Sequence, residues 1–163
     1  MAKNKEEKTN VMRVLEQKKI AYTAHTYPHE EGMAVDGVTV AKSMGFDPAI
    51  VFKTLVARGA SKQYYVFDVP VAENLDLKKA AKAVGEKSIE MIHQKELLPL
   101  TGYVHGGCSP VGMKKLFPTV FHSSAENLAA MIVSAGKIGY QVELAPHDLA
   151  ALVRAKFADL IAE

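Results

Sequence analysis

The stretch that decides the fold spans residues 50–69 and reads IVFKTLVARGASKQYYVFDV. Its first part, Ile50-Val51-Phe52-Lys53-Thr54-Leu55-Val56, is dominated by apolar and β-branched residues, and residues 63–69 repeat that character. The segment Gly59-Ala60-Ser61-Lys62 lies between them and has the composition of a turn. The pattern predicts a β-hairpin with strands over residues 50–58 and 63–69.

Shorter elements are predicted on both sides of this hairpin. Helix signals are apolar residues at i, i+3, i+4 and i+7, a side-chain cap before them and glycine after them. They predict helices over residues 10–19, 38–44, 76–84, 110–116 and 149–161, and strands over 20–25, 88–92, 119–121, 131–134 and 140–144. The order lacks a βαβ rhythm, which favours an α+β fold: a mixed, mostly antiparallel sheet with surrounding helices. Without repeats or a linker, residues 1–163 are expected to form a single domain.

The composition of the chain indicates its compartment and the kinds of ligand it can bind. The chain has 163 residues, one cysteine and a net charge of +2. A lone thiol fits a reducing compartment, and no signal peptide or membrane-spanning run is evident, so a cytoplasmic protein is expected. The mild positive charge permits an RNA partner without requiring one. No phosphate-binding glycine motif occurs, so ATP or dinucleotide use is not supported, and no cofactor is expected.

Lys53 interrupts the apolar strand of the hairpin. Alternation places it on one face with Val51 and Leu55, while Phe52 and Thr54 point to the other. A lysine in a buried sheet loses hydration unless it finds a partner or faces a cleft. Lys53 is therefore either a functional cation or an edge-strand lysine that blocks aggregation.

A second candidate lies in Thr101-Gly102-Tyr103-Val104-His105-Gly106-Gly107-Cys108-Ser109-Pro110. The glycine pair allows close approach of the backbone to a ligand, and Ser109-Pro110 predicts a helix start whose N–H groups could hold an oxyanion. The alternative is a tight turn that needs glycine. Cys108 with His105 also suggests a cysteine hydrolase, although a single cysteine is more often a packing residue.

Other polar clusters are weaker signals. Val133-Ser134-Ala135-Gly136 ends a strand with small residues, which suits either a flat wall against a ligand or a hairpin turn. The six histidines do not form a metal site, since Pro28 separates His25 from His29. A basic stretch, made of Lys78, Lys79, Lys82 and Lys87, is a solvated helix face or a guide for an RNA acceptor stem.

Four ordered blocks together resemble the YbaK/EbsC family, free-standing relatives of the editing domain of bacterial prolyl-tRNA synthetases. They are residues 51–56, 74–83, 101–112 and 133–136, and the resemblance covers about residues 9–159. The resemblance implies the family's compact mixed α/β domain. It also implies an enzyme that deacylates mischarged Cys-tRNA(Pro), because a synthetase pocket cannot fully exclude cysteine on size alone.

The resemblance also implies roles for individual residues. Lys53 matches the family's essential strand lysine, which would hold the substrate near the scissile ester. Gln141 stands where some relatives carry an acidic residue, so a general-base role there is doubtful. The remaining substrate-binding positions are Tyr27, Phe52, Thr54, Gly106, Gly107, Cys108, Ser109, Pro110, Ser134, Ala135 and Gly136.

The mechanism implied is substrate-assisted: the thiol of the cysteinyl group attacks the carbonyl carbon of its own ester, and the cysteinyl group leaves the tRNA as a cyclic thiolactone. The enzyme then needs no nucleophile, only a near-attack geometry and oxyanion stabilisation. The partners implied are the acceptor end of tRNA(Pro) and, transiently, prolyl-tRNA synthetase. Deacylation of Ala-tRNA(Pro), a broader specificity and a non-catalytic tRNA- or synthetase-binding module are the alternatives.

Overall fold

The computed structural model describes residues 8–28 and 36–162. Most of the loop expected over residues 26–37, together with His29, lies outside this part. Five helices are described: α1 (Asn10–Gln17), α2 (Gly37–Ser43), α3 (Leu77–Val84), α4 (Gln94–Thr101) and α5 (Pro146–Val153). Eight strands accompany them: β1 (Thr23–Thr26), β2 (Phe52–Gly59), β3 (Tyr64–Pro70), β4 (Ile89–Met91), β5 (Thr119–His122), β6 (Met131–Ser134), β7 (Tyr140–Leu144) and β8 (Lys156–Ala158).

The strands form two sheets rather than the single sheet expected. A three-stranded antiparallel sheet has the order β1-β7-β6, and a five-stranded mixed sheet has the order β4-β2-β3-β5-β8. Only β3–β5 and β5–β8 pair in parallel. An isolated bridge between Val51 and Ile132 joins the two sheets, so β2 runs close to β6. The α+β class with mostly antiparallel pairing is confirmed.

Local sequence signals explain the elements that were predicted well. The Thr9 side chain accepts from the Met12 N–H at the start of α1, and Asp76 accepts from the Lys78 and Lys79 N–H groups at the start of α3. Gly85 ends α3 with a φ of 74°, a left-handed conformation that glycine adopts without a Cβ penalty. The central hairpin forms as expected, with Lys53 opposite Val69.

The helix predicted over residues 110–116 is wrong. Ser109 Oγ does accept from the Val111 N–H, but the turn does not continue. Gly112 has a φ of 79°, and the Tyr103 hydroxyl occupies the space where its Cβ would lie. The side chain that resembles a helix cap therefore closes only one turn.

The helix of this region precedes the glycine loop, because α4 spans Gln94–Thr101. The Glu96 carboxylate accepts from the His93 N–H at its start, and Gly102 ends it with a φ of 89°. The predicted closing helix is also too long. It stops at Val153, Arg154 adopts a φ of 59°, and Phe157 then lies in β8. None of the helices in the described ranges is long and apolar enough to cross a membrane.

Candidate active site

Lys53 lies in β2, which has β3 on one side and β4 on the other over residues 57–59. Its side chain is half-buried, and burial lowers the pKa of its ammonium, while the charges of Asp36 and Glu73 oppose that shift. Within residues 8–28 and 36–162, the ammonium makes no ion pair or hydrogen bond. A desolvated cation without a bonded carboxylate is available to a ligand.

A cavity of about 520 Å³ opens beside Lys53, between β2 and the β6–β7 hairpin. This volume suits a small organic group rather than a macromolecule. Of the residues predicted for the site, eight line it: Tyr27, Phe52, Lys53, Thr54, Gly106, Cys108, Ser134 and Gln141. Nine further lining residues are Asp36, Gly37, Val40, Val51, Leu55, Val71, Leu97, His105 and Tyr140.

The two adjacent glycines of the loop have different roles. Gly106 adopts a φ of 90°, and it lines the cavity. Gly107 does not line it. A Cβ on Gly107 would lie 3.0 Å from the Ile138 nitrogen and 3.2 Å from the Lys137 carbonyl carbon, so its backbone packs directly on the β6–β7 connection. Gly107 thus holds the loop against the hairpin, and Gly106 turns it toward the cavity.

Ser109 and Pro110 support the loop from behind. Both are buried and neither lines the cavity. Because no helix begins at Pro110, the glycine loop offers no helix N-terminus to the site, whereas the start of α2 with its cap Asp36 does line the cavity. The backbone N–H groups of Gly106 and Cys108 remain, and neither donates to a protein acceptor in the described residues. These two N–H groups can serve as donors to a substrate oxygen.

Cys108 has the environment of a packing thiol. It is 7% exposed, and burial together with the nearby charge of Asp68 raises its pKa to about 12. A thiolate nucleophile requires a lowered pKa. His105 lines the same cavity, yet no hydrogen bond joins it to Cys108 within the described ranges. The arrangement does not favour a cysteine hydrolase.

The β6–β7 hairpin forms the wall opposite β2. Ser134 lines the cavity and its Oγ accepts from the Gly136 N–H, whereas Ala135 is fully buried and Gly136 packs against Tyr103. Gln141, which is opposite Ser134 in register, is 7% exposed, and its Oε1 has no hydrogen-bond partner in the described part of the chain. A buried, unsatisfied amide oxygen on a cavity wall is suited to accept from a ligand.

Several lining residues carry no local sequence signal. Asp36 accepts from the Thr39 N–H and caps α2, so its position at the cavity follows from tertiary packing. Leu97 reaches the cavity from α4, the helix that was not predicted. Tyr140 begins β7, and the Lys137 ammonium lies 5.5 Å from the centre of its ring.

Two other expectations concern surfaces away from this cavity. The described residues contain no group of three His, Cys, Asp or Glu side chains that could hold a metal ion. The basic stretch on and after α3 does not line the cavity, and one of its members, Lys79, is bonded to Asp159. Whether this stretch is a solvated face or guides an acceptor stem stays a prediction.

Comparison with known proteins places this site in a family. The family model of the aminoacyl-tRNA editing domain matches residues 29–152, which include all the cavity-lining residues except Tyr27. The chain belongs to the aminoacyl-tRNA editing domain family. This editing-domain protein is 45% identical, over 98% of both chains, to EbsC of Enterococcus faecalis, which is provisionally named a Cys-tRNA(Pro)/Cys-tRNA(Cys) deacylase.

Solved structures agree with the family. The crystal structure of a proposed trans-editing enzyme for prolyl-tRNA synthetase matches this editing-domain chain with a TM-score of 0.79 and 25% identity, over 94% of this chain and 95% of the other. A hypothetical protein with 18% identity has a TM-score of 0.82 over 93% and 99% of the two chains, which supports the fold alone. The predicted family and enzyme class, an aminoacyl-tRNA deacylase, are confirmed, and tRNA is the substrate class.

Proposed function

We propose that the protein deacylates Cys-tRNA(Pro) in trans, at the acceptor end, in the cavity beside Lys53. The observation that carries this proposal is the half-buried Lys53 ammonium, which lines a cavity of about 520 Å³ and is not paired with a carboxylate of the described residues. The name of the Enterococcus faecalis relative supports a cysteinyl ester as the substrate.

The proposed chemistry uses the substrate's own thiol. Its sulfur attacks the ester carbonyl carbon, a C–S bond forms, and the C–O bond to the terminal ribose breaks. The thiol proton goes to the departing ribose oxygen, giving tRNA and a cyclic thiolactone. The high pKa of Cys108, about 12, leaves the described cavity wall without a ready nucleophile, which fits a reaction that needs none.

The enzyme's contribution is then geometry and charge. We assign Lys53 to the ester oxygen, where its ammonium offsets negative charge that develops during attack. We also assign to that oxygen the N–H groups of Gly106 and Cys108, two cavity-lining residues whose N–H groups have no acceptor among the described residues. A single donor of this kind typically contributes about 10²–10³-fold in rate.

The opposite wall is assigned to the rest of the acceptor end. Ser134 and Tyr140 line the cavity on this side, and we place the terminal adenosine against them. Ala135 is buried behind this surface and Gly136 packs against Tyr103, so their role in the proposal is to hold the wall in place. Tyr27 and Phe52 close the apolar part of the cavity around the amino-acid side chain.

Partners and location follow from the chemistry. Mischarged tRNA is hydrolysed before it reaches the ribosome, so we expect the enzyme to act in the cytoplasm and to meet prolyl-tRNA synthetase transiently. Because the relative's name includes both Cys-tRNA(Pro) and Cys-tRNA(Cys), we expect the cavity to select the cysteinyl group more strongly than the tRNA body.

Three esters on the same tRNA(Pro) test the proposal: cysteinyl, alanyl and S-methylcysteinyl. The S-methyl ester has almost the size of the natural one, but it lacks the proton and the free sulfur needed for attack. Rapid loss of the cysteinyl ester alone is expected. Equal loss of all three would keep a deacylase but remove the thiol from its mechanism, and binding without loss of any ester would identify a tRNA-binding module.

A further inference from the structure

A buried carboxyl group lies directly behind the cavity wall. Asp68 of β3 is fully buried and does not line the cavity, whereas Thr54, its cross-strand partner on β2, does. The Thr54 hydroxyl donates to Asp68 Oδ1 over 2.5 Å. Asp68 Oδ2 has no hydrogen-bond partner in the described residues. The proposed reaction makes no use of this carboxyl group.

The surroundings of Asp68 are almost uncharged. β2 presents Thr54, β5 places Phe121 beside Asp68 in register, and the glycine loop contributes Cys108, whose thiol stays protonated near neutral pH. Lys53 also lines the cavity, and its pKa responds to Asp36 and Glu73. Burial raises the pKa of Asp68 to about 7, although the hydrogen bond from Thr54 lowers it.

A carboxylate at this position reduces the stability of the folded protein, since one of its oxygens is unsatisfied away from water. Its clearest effect is on Thr54. While Asp68 is ionised it can only accept, so the Thr54 hydrogen points inward and the oxygen presents only lone pairs to the cavity. Perturbed carboxyl groups next to a cavity often serve its function.

Resting on the proposed deacylation, we propose that Asp68 is a positioning residue that keeps Thr54 Oγ1 a hydrogen-bond acceptor for the α-ammonium group of the aminoacyl ester. The ammonium group has donors only, so it requires acceptors on the wall that receives it. Gln141 Oε1, buried and unsatisfied across the cavity, supplies a second acceptor. Lys53 and the loop N–H groups then remain for the ester oxygen.

Protonation of Asp68 reverses the hydrogen bond. The acid donates through Oδ1, the oxygen that already has a partner, and the Thr54 hydrogen turns toward the cavity. There the Thr54 hydrogen faces the hydrogens of the ammonium group, and Thr54 Oγ1 no longer accepts a hydrogen bond from them. Binding of an aminoacyl group is therefore expected to weaken as the pH falls through the range in which Asp68 titrates.

Two stable ligands test this inference directly. Both are amides of 3′-amino-3′-deoxyadenosine. One carries cysteine, and the other carries 3-mercaptopropionic acid, which differs from cysteine only in lacking the ammonium group. Their dissociation constants are measured by calorimetry with the wild-type protein and Asp68→Asn, on either side of neutral pH. For each ligand, the dissociation constant of Asp68→Asn is divided by that of the wild type at the same pH. Protonation of the ligand affects both constants equally and therefore cancels in this ratio.

For the cysteinyl amide, Asp68→Asn is expected to weaken binding about tenfold above neutral pH, the effect of one charge-assisted hydrogen bond, and to have little effect in mild acid. For the desamino ligand the ratio stays near one throughout. Equal ratios for the two ligands, or a ratio independent of pH, would overturn the inference.

If Asp68→Asn does not fold, a second pair of variants at Thr54 tests the same inference. Thr54→Ser retains the hydroxyl group and should bind the cysteinyl amide like the wild type, whereas Thr54→Val should lose the preference for it. If the wild type hydrolyses Cys-tRNA(Pro) and still shows no such preference, only this inference fails. If the wild type binds neither ligand and hydrolyses no ester, the proposed function fails with it.

Discussion

Replacing Asp68 with asparagine is expected to stabilise the protein at alkaline pH. The pKa of Asp68 rises from 3.8 to about 7 on folding because the group is fully buried. A raised folded-state pKa means that the unfolded chain releases the proton first, so stability is greatest below the unfolded value and is lost as the pH rises to the folded value. A shift of about three units corresponds to ~4 kcal/mol in total.

About 2–3 kcal/mol of this loss falls between roughly pH 5 and pH 8, because part of the loss has already occurred at pH 5. Asparagine has nearly the same shape and can form a hydrogen bond with Thr54 by donating from its amide group, but it carries no charge. The advantage of Asp68→Asn over the wild type should therefore grow by about 2–3 kcal/mol over this interval. Urea denaturation at the two pH values, followed by circular dichroism, measures the difference.

Thr54→Val serves as the matched control for this experiment. It removes the hydrogen bond that lowers the pKa of Asp68, so the pH-dependent loss of stability should extend to higher pH than in the wild type. An advantage of Asp68→Asn that is the same at both pH values would refute the reasoning, since it would show that Asp68 does not change its charge in this range.

Three further predictions concern other parts of the molecule. Gly107→Ala should cost about 1–3 kcal/mol in urea denaturation and lower the deacylation rate about tenfold, because its Cβ would lie 3.0 Å from the Ile138 nitrogen and displace the loop. Gly45→Ala is the control, since it has positive φ but no atom within 4 Å, and should lower stability without affecting the rate. Cys108→Ala should retain deacylation within about tenfold, where loss of a true nucleophile would cost about 10⁴-fold or more. Asp76→Ala should lower the free energy of unfolding by about 1 kcal/mol through loss of the α3 cap, with unchanged turnover.

Local signals predicted the central hairpin and the helices α1 and α3, because those elements are determined by neighbouring residues. Thr9 caps α1, Asp76 caps α3, and Gly85 ends α3 as expected. The error at Ser109 has a tertiary cause. The same serine-to-backbone hydrogen bond that begins a helix also closes a single turn, and the position of Tyr103 against Gly112 decides between them.

The candidate site was predictable where one residue contradicts its surroundings. Lys53 is a cation in an apolar strand, and Gly106 belongs to a conspicuous glycine pair. Asp68 was not singled out, although it is also a charge in an apolar strand, because the sequence does not show that Thr54 is its cross-strand partner. Likewise, the sequence cannot show that Gln141 has an unsatisfied oxygen or that Ala135 lies behind the wall.

The most direct test of the account is single-turnover deacylation of Cys-tRNA(Pro) by the wild-type protein and by Lys53→Ala, with circular dichroism to verify that both are folded. The cation supplies charge to the ester oxygen during attack, so the variant should be slower by about 10²-fold or more. A folded Lys53→Ala variant that deacylates within about twofold of the wild type would contradict the assignment of the site, because losing such a donor costs far more than that.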